Sequence, residues 1–186
     1  MLSIIIATLD SERALVRTLA ALVPGAAEGL VSEVLLADGG SGDDTEKVAD
    51  VAGCKFMQVN GPLGRRLTTA ASAARAPWLL FLRPGTIPDT PWISEIRSFV
   101  AQPPSTDCTA VFRRAAPVQS GLRAAIMLAA ATLGGNIRPE QGLLIGNDFY
   151  RQIGGHSEHA AEPERDLIRR IGQRRIVTLS TGVFAP

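Results

Sequence analysis

The sequence predicts an α/β fold with a mostly parallel central sheet and helices packed on both of its faces. Short apolar runs of strand length alternate with helical patterns through the first half of the chain, as in successive βαβ units. These runs are continuously apolar, which is typical of strands covered on both faces. Polar turns, several of them rich in glycine, follow the runs. Together these observations indicate an open sheet with polar residues at the carboxyl ends of its strands.

Four strands are expected in the first half, because each is a compact apolar run bounded by turn-forming residues. They cover residues 3–6, 34–37, 55–59 and 78–82.

The first helix follows Asp10 and Ser11, either of which can cap its amino end. Leu15, Leu19 and Leu22 recur at helical spacing and form its apolar face. The proline and glycine at positions 24 and 25 are expected to end this helix.

Two further helices complete the alternation. Ser41 and Asp44 have capping-box spacing for a helix that runs through Val51. An alanine-rich helix is expected over residues 63–75.

The second half is less regular. Helices are expected over residues 92–100, 120–133, 148–153 and 164–171, and strands over residues 108–112, 142–145 and 176–179. At 186 residues the chain suits a single domain, residues 1–186.

Composition narrows the function classes. The net charge of +1 offers no basic field for nucleic acid, so no nucleic-acid partner is expected. The two cysteines, Cys54 and Cys108, form no disulfide framework, which favours a reducing, cytoplasmic setting. The longest apolar stretch, residues 124–133, is about half the length that a membrane-spanning helix needs.

Three strand ends carry the residues that suit a ligand site: residues 7–10, 38–40 and 83–86. Ligands of open α/β sheets bind outside the carboxyl ends of the strands, so these segments are expected to meet at one crevice. Asp38 can accept hydrogen bonds from a base or a ribose, and the glycines beside it allow close backbone approach. The GxGxxG, GxxxxGK[ST] and GxSxG motifs are absent from these positions.

Five segments, in order, resemble motifs of the family 2 glycosyltransferases. Ser3 to Glu12 (SIIIATLDSE) resembles the family's SIIIPTLNEE, and Glu33 to Thr45 (EVLLADGGSGDDT) resembles EVIVVDGGSTDDT. Residues 164–170 (ERDLIRR) resemble the family's EDVDLSRRL. Residues 67–86 and 142–155 are similar to two further motifs of the family. The resemblance covers most of the chain.

This resemblance implies a GT-A fold, Rossmann-like in its sheet, with a nucleotide-binding half over residues 1–101 and an acceptor-side half over residues 102–186. It implies a nucleotide-diphosphate sugar as donor and transfer of the sugar, a hexosyl group, to an acceptor hydroxyl with inversion. Glu164 matches the family's general base. The expected donor-binding residues are Thr8, Asp10, Glu12, Asp38, Gly39, Arg65, Arg83 and Gly85. The acceptor is left open, with lipid-linked and polysaccharide acceptors both compatible, as are peripheral membrane contact, a homo-oligomer and a partner chain.

The chain departs from the family where an acidic motif normally holds a metal, since Arg83, Pro84 and Gly85 stand there. The change moves the local charge by roughly two or three units toward positive, so a divalent metal should bind poorly. Mg²⁺ or Mn²⁺ would need other carboxylates to complete a site. Arg83 can instead present its planar fork of donors to phosphate oxygens.

Structural roles compete with several of these assignments. Asp10 and Glu12 can act as helix-capping residues, Glu164 as a first-turn residue on a helix dipole, and Asp38 as a turn former. A metal site at His156, His159 and Glu158 is a minor alternative. The main functional alternative is an inactive nucleotide-sugar-binding or interaction domain, favoured by the altered acidic residues. A nucleotidyltransferase is the third option. It ranks last, because the glycine- and lysine-containing opening loop of that class is missing.

Overall fold

The computed structural model describes residues 1–101, 109–114 and 137–184, which form an eight-stranded sheet with helices around it. The expected helix over residues 120–133 and the first residue of the expected strand over 108–112 lie outside these ranges. The strands are β1 (Leu2–Thr8), β2 (Val31–Asp38), β3 (Lys55–Gln58), β4 (Trp78–Leu82), β5 (Ile87–Pro88), β6 (Thr109–Arg114), β7 (Leu143–Gly146) and β8 (Ile176–Phe184). The helices are α1 (Glu12–Ala27), α2 (Thr45–Val51), α3 (Leu63–Ala73), α4 (Trp92–Ala101), α5 (Asn147–Gln152) and α6 (Pro163–Ile171), with 3-10 turns at Pro139–Gln141 and Gln173–Arg175.

The strand order is β3-β2-β1-β4-β7-β6-β8-β5. The first four strands in this order are parallel, β7 runs antiparallel to β4 and β6, and β6 runs parallel to β8. The expected α/β class with a mostly parallel sheet is therefore confirmed. Because β6 is antiparallel to β7, its carboxyl end lies at the same edge of the sheet as that of β4.

Two apolar layers, one on each face of the sheet, explain why the strand sequences are continuously apolar. Along β1, Ile4 and Ile6 face a layer built with α1 and α4, whereas Ile5 faces a layer built with α3, α5 and α6. All three side chains are fully buried. Successive strand residues point to opposite faces, so a strand covered on both sides needs apolar residues at every position.

The end of α1 corrects a sequence expectation. The helix continues past Pro24 and Gly25 to Ala27. Gly25 is buried against the indole of Trp92 in α4, and a Cβ at this position would lie 2.4 Å from the ring. Tertiary packing against Trp92 thus stabilises a last turn that local preference alone would have ended.

The start of α2 corrects a second expectation, because the capping box of Ser41 and Asp44 does not form. Asp44 is the N-cap residue of α2, and its side chain makes no capping hydrogen bond. The Ser41 hydroxyl instead donates to Asp38 at 2.5 Å. The serine that the sequence pattern assigned to the helix cap therefore bonds to the last residue of β2 instead.

Candidate functional site at the carboxyl edge of the sheet

The predicted site segments lie at the carboxyl ends of three adjacent strands. Strand β1 lies between β2 and β4, with Thr8 paired to Asp38 and Ile6 paired to Leu82. Arg83 follows Leu82 directly, so its backbone lies one strand away from the end of β1, a spacing of about 4.8 Å. The expectation that the ends of β1, β2 and β4 share one edge is met by this register.

Asp38 is the centre of a closed hydrogen-bond network rather than an open carboxylate. Its Oδ1 accepts from the hydroxyls of Thr8 at 2.8 Å and Ser41 at 2.5 Å. Its Oδ2 accepts from the backbone N–H groups of Gly40 at 2.8 Å and Ser41 at 2.7 Å. The side chain is almost fully buried. Since two carboxylate oxygens offer about four lone-pair positions, Asp38 has little acceptor capacity left for a ligand.

These bonds also set the charge state of Asp38. Burial alone raises the pKa of this carboxyl, but the hydrogen bonds from Ser41, Thr8 and Gly40 outweigh burial and bring the pKa below its ordinary value. Asp38 is therefore ionised at neutral pH and holds the ends of β1 and β2 together.

The loop after β1 is locked onto the loop after β2. Asp10 has a φ of 46°, which is uncommon for a residue other than glycine. Its N–H donates to the Ser41 hydroxyl at 2.8 Å, and its Oδ1 accepts from the Gly42 N–H at 2.7 Å. The Glu12 N–H donates to Asp43 at 3.0 Å, while the Glu12 side chain is half-buried. Asp10 and Glu12 thus belong to a pre-formed double loop, and their roles toward a donor stay predictions.

Arg66 is the cation that the fold brings to the ends of β1 and β2. Its Nη1 donates to the carbonyl of Thr8 at 2.8 Å, and its guanidinium lies over Gly39, where a Cβ would be 2.7 Å from Nη1. Its buried Nε has no hydrogen-bond partner. Within residues 1–101, 109–114 and 137–184, no carboxylate forms an ion pair with Arg66. A half-buried positive charge without a counterion is suited to an anionic ligand.

Two other expected donor residues make different contacts. Arg65 is exposed on α3 and contacts Gly61. Gly85 is buried, with a φ of 90°, and its N–H donates to Thr18 of α1 at 2.8 Å. Gly85 therefore anchors the turn after β4 to α1, and its N–H faces the protein.

Arg83 joins two carboxylates from the second half of the chain, and we call Arg83, Glu140 and Glu164 the Arg83 cluster. The Nε of Arg83 lies 3.1 Å from both carboxylate oxygens of Glu164, and the Nη2 of Arg83 makes a further contact with Glu164 Oε2. Its Nη1 donates to Glu140 at 2.9 Å. The hydrogen bond with Glu164 is the main factor that raises the pKa of Arg83 above its ordinary value. The expected base and the expected phosphate ligand are thus paired with each other.

The register of β7 against β4 explains how Glu140 reaches Arg83. Phe81 pairs with Leu143 in this antiparallel ladder, so Arg83 lies opposite Gln141, immediately beside Glu140. Glu164 comes from the first turn of α6, where the helix dipole favours a negative charge. Side-chain exposures are 39% for Arg83, 37% for Glu140 and 16% for Glu164, so the cluster opens to solvent at Arg83 and Glu140.

With Arg83 between the two carboxylates, this arrangement is not that of a metal site. In the described part of the chain, no three His, Cys, Asp or Glu side chains are grouped as metal ligands. Glu140 and Glu164 are the carboxylates beside the strand end, and the guanidinium of Arg83 already lies against both of them. A cation at this place would meet a positive charge unless Arg83 moved away.

His156 is an internal residue. Its ring Nδ1 lies 2.9 Å from the Tyr150 hydroxyl, and its backbone N–H donates to the same hydroxyl at 3.1 Å. Its backbone carbonyl accepts from the Thr68 hydroxyl at 3.0 Å. Burial, with the positive charge of Arg170 as a smaller cause, lowers the pKa of His156 to about 3. A neutral, buried ring tied to Tyr150 supports α3 and the loop before α6, whereas His159 is exposed.

Arg66 and Glu140 are absent from the donor-binding and catalytic residues that the sequence predicts. Helical spacing could have favoured Arg66 over Arg65, because position 66 falls on the same face as Leu63 and the buried Ala70. No local pattern indicates Glu140, since its place beside Arg83 depends on the pairing of β7 with β4.

The chain has a GT-A fold. The solved structures that it resembles include glucosyl-3-phosphoglycerate synthase from Mycobacterium tuberculosis in complex with Mn²⁺, UDP and glucosyl-3-phosphoglycerate. That match has a TM-score of 0.72 and 19% identity, and it covers 100% of this chain and 72% of the synthase chain. S. aureus TarS, residues 1–349, matches with a TM-score of 0.73 and 16% identity, over 96% of this chain and 58% of that one. Identities this low show the fold alone.

No family model and no curated protein matches the sequence. Among the residues that the structure describes, no helix has both the length and the apolar character to cross a membrane.

Proposed function

We propose that this chain binds a nucleotide-diphosphate sugar at the carboxyl ends of β1, β2 and β4 and transfers the sugar to an acceptor hydroxyl with inversion. The observation that carries the proposal is the pair of arginines at this edge, Arg66 over β1 and β2 and Arg83 at the end of β4. Solved structures of the same fold contain UDP and UDP-glucose, which supports a uridine nucleotide as the first donor to test.

The polarity of the edge supports one orientation of the donor. Asp10 and Gly40, two exposed residues of the double loop, lie on the side of the edge that we assign to the nucleoside. The diphosphate then lies toward the two guanidinium groups, which supply the countercharge that the leaving group needs. Since Arg83 provides this positive charge in place of a metal ion, we expect metal dependence to be weak or absent.

Glu164 is the proposed general base. Its carboxylate takes the proton of the acceptor hydroxyl while that oxygen forms a bond to the anomeric carbon, and the bond from this carbon to the diphosphate oxygen breaks. A single in-line displacement of this kind inverts the anomeric centre. Glu164 suits the role by its place in the first turn of α6, on the acceptor side of the sheet edge.

The direct test measures sugar hydrolysis or transfer from UDP- and GDP-sugars, with EDTA and with Mn²⁺. We expect turnover in EDTA and a loss on the order of 10²–10⁴-fold for Glu164→Gln, because a general base contributes about that much. Glu46→Gln, an exposed change on α2, is the matched control. Strict dependence on Mn²⁺, or full activity of Glu164→Gln, would contradict the proposal.

A second candidate function is nucleotide-sugar binding without turnover. It is favoured by the engagement of both carboxylate oxygens of Glu164 with Arg83. Donor binding with no hydrolysis or transfer above background, in wild type and Glu164→Gln alike, would identify this second function.

A further inference from the structure

We infer that the Arg83 cluster is a donor-operated latch: the diphosphate of the donor draws Arg83 away from Glu164 and so releases the carboxylate that acts as base. The inference rests on the proposed function. It adds a regulatory role for Arg83 and assigns Glu140 as a positioning residue.

The first step concerns the latched state. Both oxygens of Glu164 accept hydrogen bonds from Arg83, and Oε2 makes two contacts with it, so the guanidinium occupies most of the acceptor positions of this carboxylate. Glu164 is also the least exposed member of the cluster, at 16%. A base held in this way is withheld from the acceptor as long as the ion pair persists.

The second step concerns charge. The Arg83 cluster carries one positive and two negative charges, so it is negative as a whole. A diphosphate that approached the intact cluster would meet this net negative charge, whereas one that takes Arg83 for itself gains a planar, charge-assisted pair. The diphosphate carries more negative charge than a single carboxylate, which favours the exchange.

The third step concerns what moves. The turn after β4 is fixed, because the Gly85 N–H donates to the hydroxyl of Thr18 and to the carbonyl of Ala14. The exchange is therefore a side-chain rotation of Arg83 about a held backbone. Glu140 binds Nη1, on the other side of the guanidinium from Glu164, and limits how far the arginine can swing.

Calorimetric titration with UDP tests the latch by a double-mutant cycle. Glu164→Gln removes the carboxylate that competes for Arg83, so we expect UDP to bind roughly three- to tenfold more tightly. The gain should vanish in the Arg83→Gln background, since no guanidinium is left to release. Coupling of this kind separates the latch from a general effect of charge.

Two controls sharpen the result. Glu162 lies two residues before Glu164, and its carboxylate hydrogen bonds to Arg165 rather than to Arg83. Glu162→Gln should therefore change UDP affinity much less than Glu164→Gln does. UMP, which lacks the second phosphate, should show a smaller gain with Glu164→Gln than UDP does. Glu140→Gln should shift UDP affinity in the same direction as Glu164→Gln, which keeps the test valid if one variant is unstable.

The outcomes separate the latch from the proposed function. If wild type binds UDP and Glu164→Gln binds it equally or more weakly, Arg83 stays on Glu164 and the latch is overturned while donor binding stands. An equal gain in the Arg83→Gln background overturns the latch in the same way. If no variant binds UDP, UDP-sugars or GDP-sugars, the proposed function fails and the latch fails with it.

Discussion

At the scale of single residues, Asp38 is a motif residue whose four hydrogen-bond donors all come from the protein itself. Its carboxylate is buried and accepts four hydrogen bonds that tie the β1 and β2 ends together. We predict that Asp38→Asn lowers the free energy of unfolding by about 3 kcal/mol, because an amide turns an N–H toward existing donors and leaves them unpaired.

Urea denaturation checks this prediction, with the exposed Asp50→Asn on α2 as the matched control, for which a change within about 0.5 kcal/mol is expected. If Asp38→Asn is instead as stable as the wild type but binds UDP more weakly, Asp38 contacts the nucleotide directly.

At the scale of elements, the contact between α3 and the loop before α6 positions Arg66 relative to Glu164. Gly64 in α3 lies against the backbone of this loop, and a Cβ there would be 2.1 Å from the carbonyl oxygen of Ser157. We predict that Gly64→Ala costs about 1–3 kcal/mol, because neither the helix nor the loop backbone can yield without losing packing.

Thermal unfolding measures the effect of Gly64→Ala, and Ser72→Thr supplies the control. That change also adds one carbon to α3, but at an exposed position. Equal melting temperatures for the two variants would show that the loop moves freely away from α3.

The elements also show how far local sequence information reaches. The expected range of β4, residues 78–82, matches the observed Trp78–Leu82, since a fully buried strand carries an unbroken apolar run. The expected end of α1 was wrong because the stabilising partner of Gly25 is Trp92, far along the chain. The place of Glu140 depends likewise on strand pairing. Local patterns thus predict elements and strand-end residues, whereas contacts between distant segments decide what those residues bind.

At the scale of the whole molecule, the buried His156 makes stability depend on pH. The pKa of His156 is about 3 in the folded protein and 6.5 for an ordinary histidine. Between these values the unfolded chain binds more protons, so the free energy of unfolding falls as the pH falls, by up to about 1.4 kcal/mol per pH unit.

Carboxylates with lowered pKa values, such as Asp38, lose their contribution only below about pH 4, so His156 dominates between pH 6 and pH 5. We predict that His156→Gln removes most of the pH dependence of urea unfolding in this window, although it lowers stability at pH 7. Parallel pH profiles for the variant and the wild type would disprove this origin.

The central claim is that a nucleotide diphosphate binds at the carboxyl edge of the sheet between two arginines. A crystal structure with bound UDP tests it most directly. We predict that the diphosphate lies within hydrogen-bond distance of Arg66 and Arg83, with Arg83 turned away from Glu164. UDP bound at another surface, or a diphosphate that contacts neither arginine, would contradict the account.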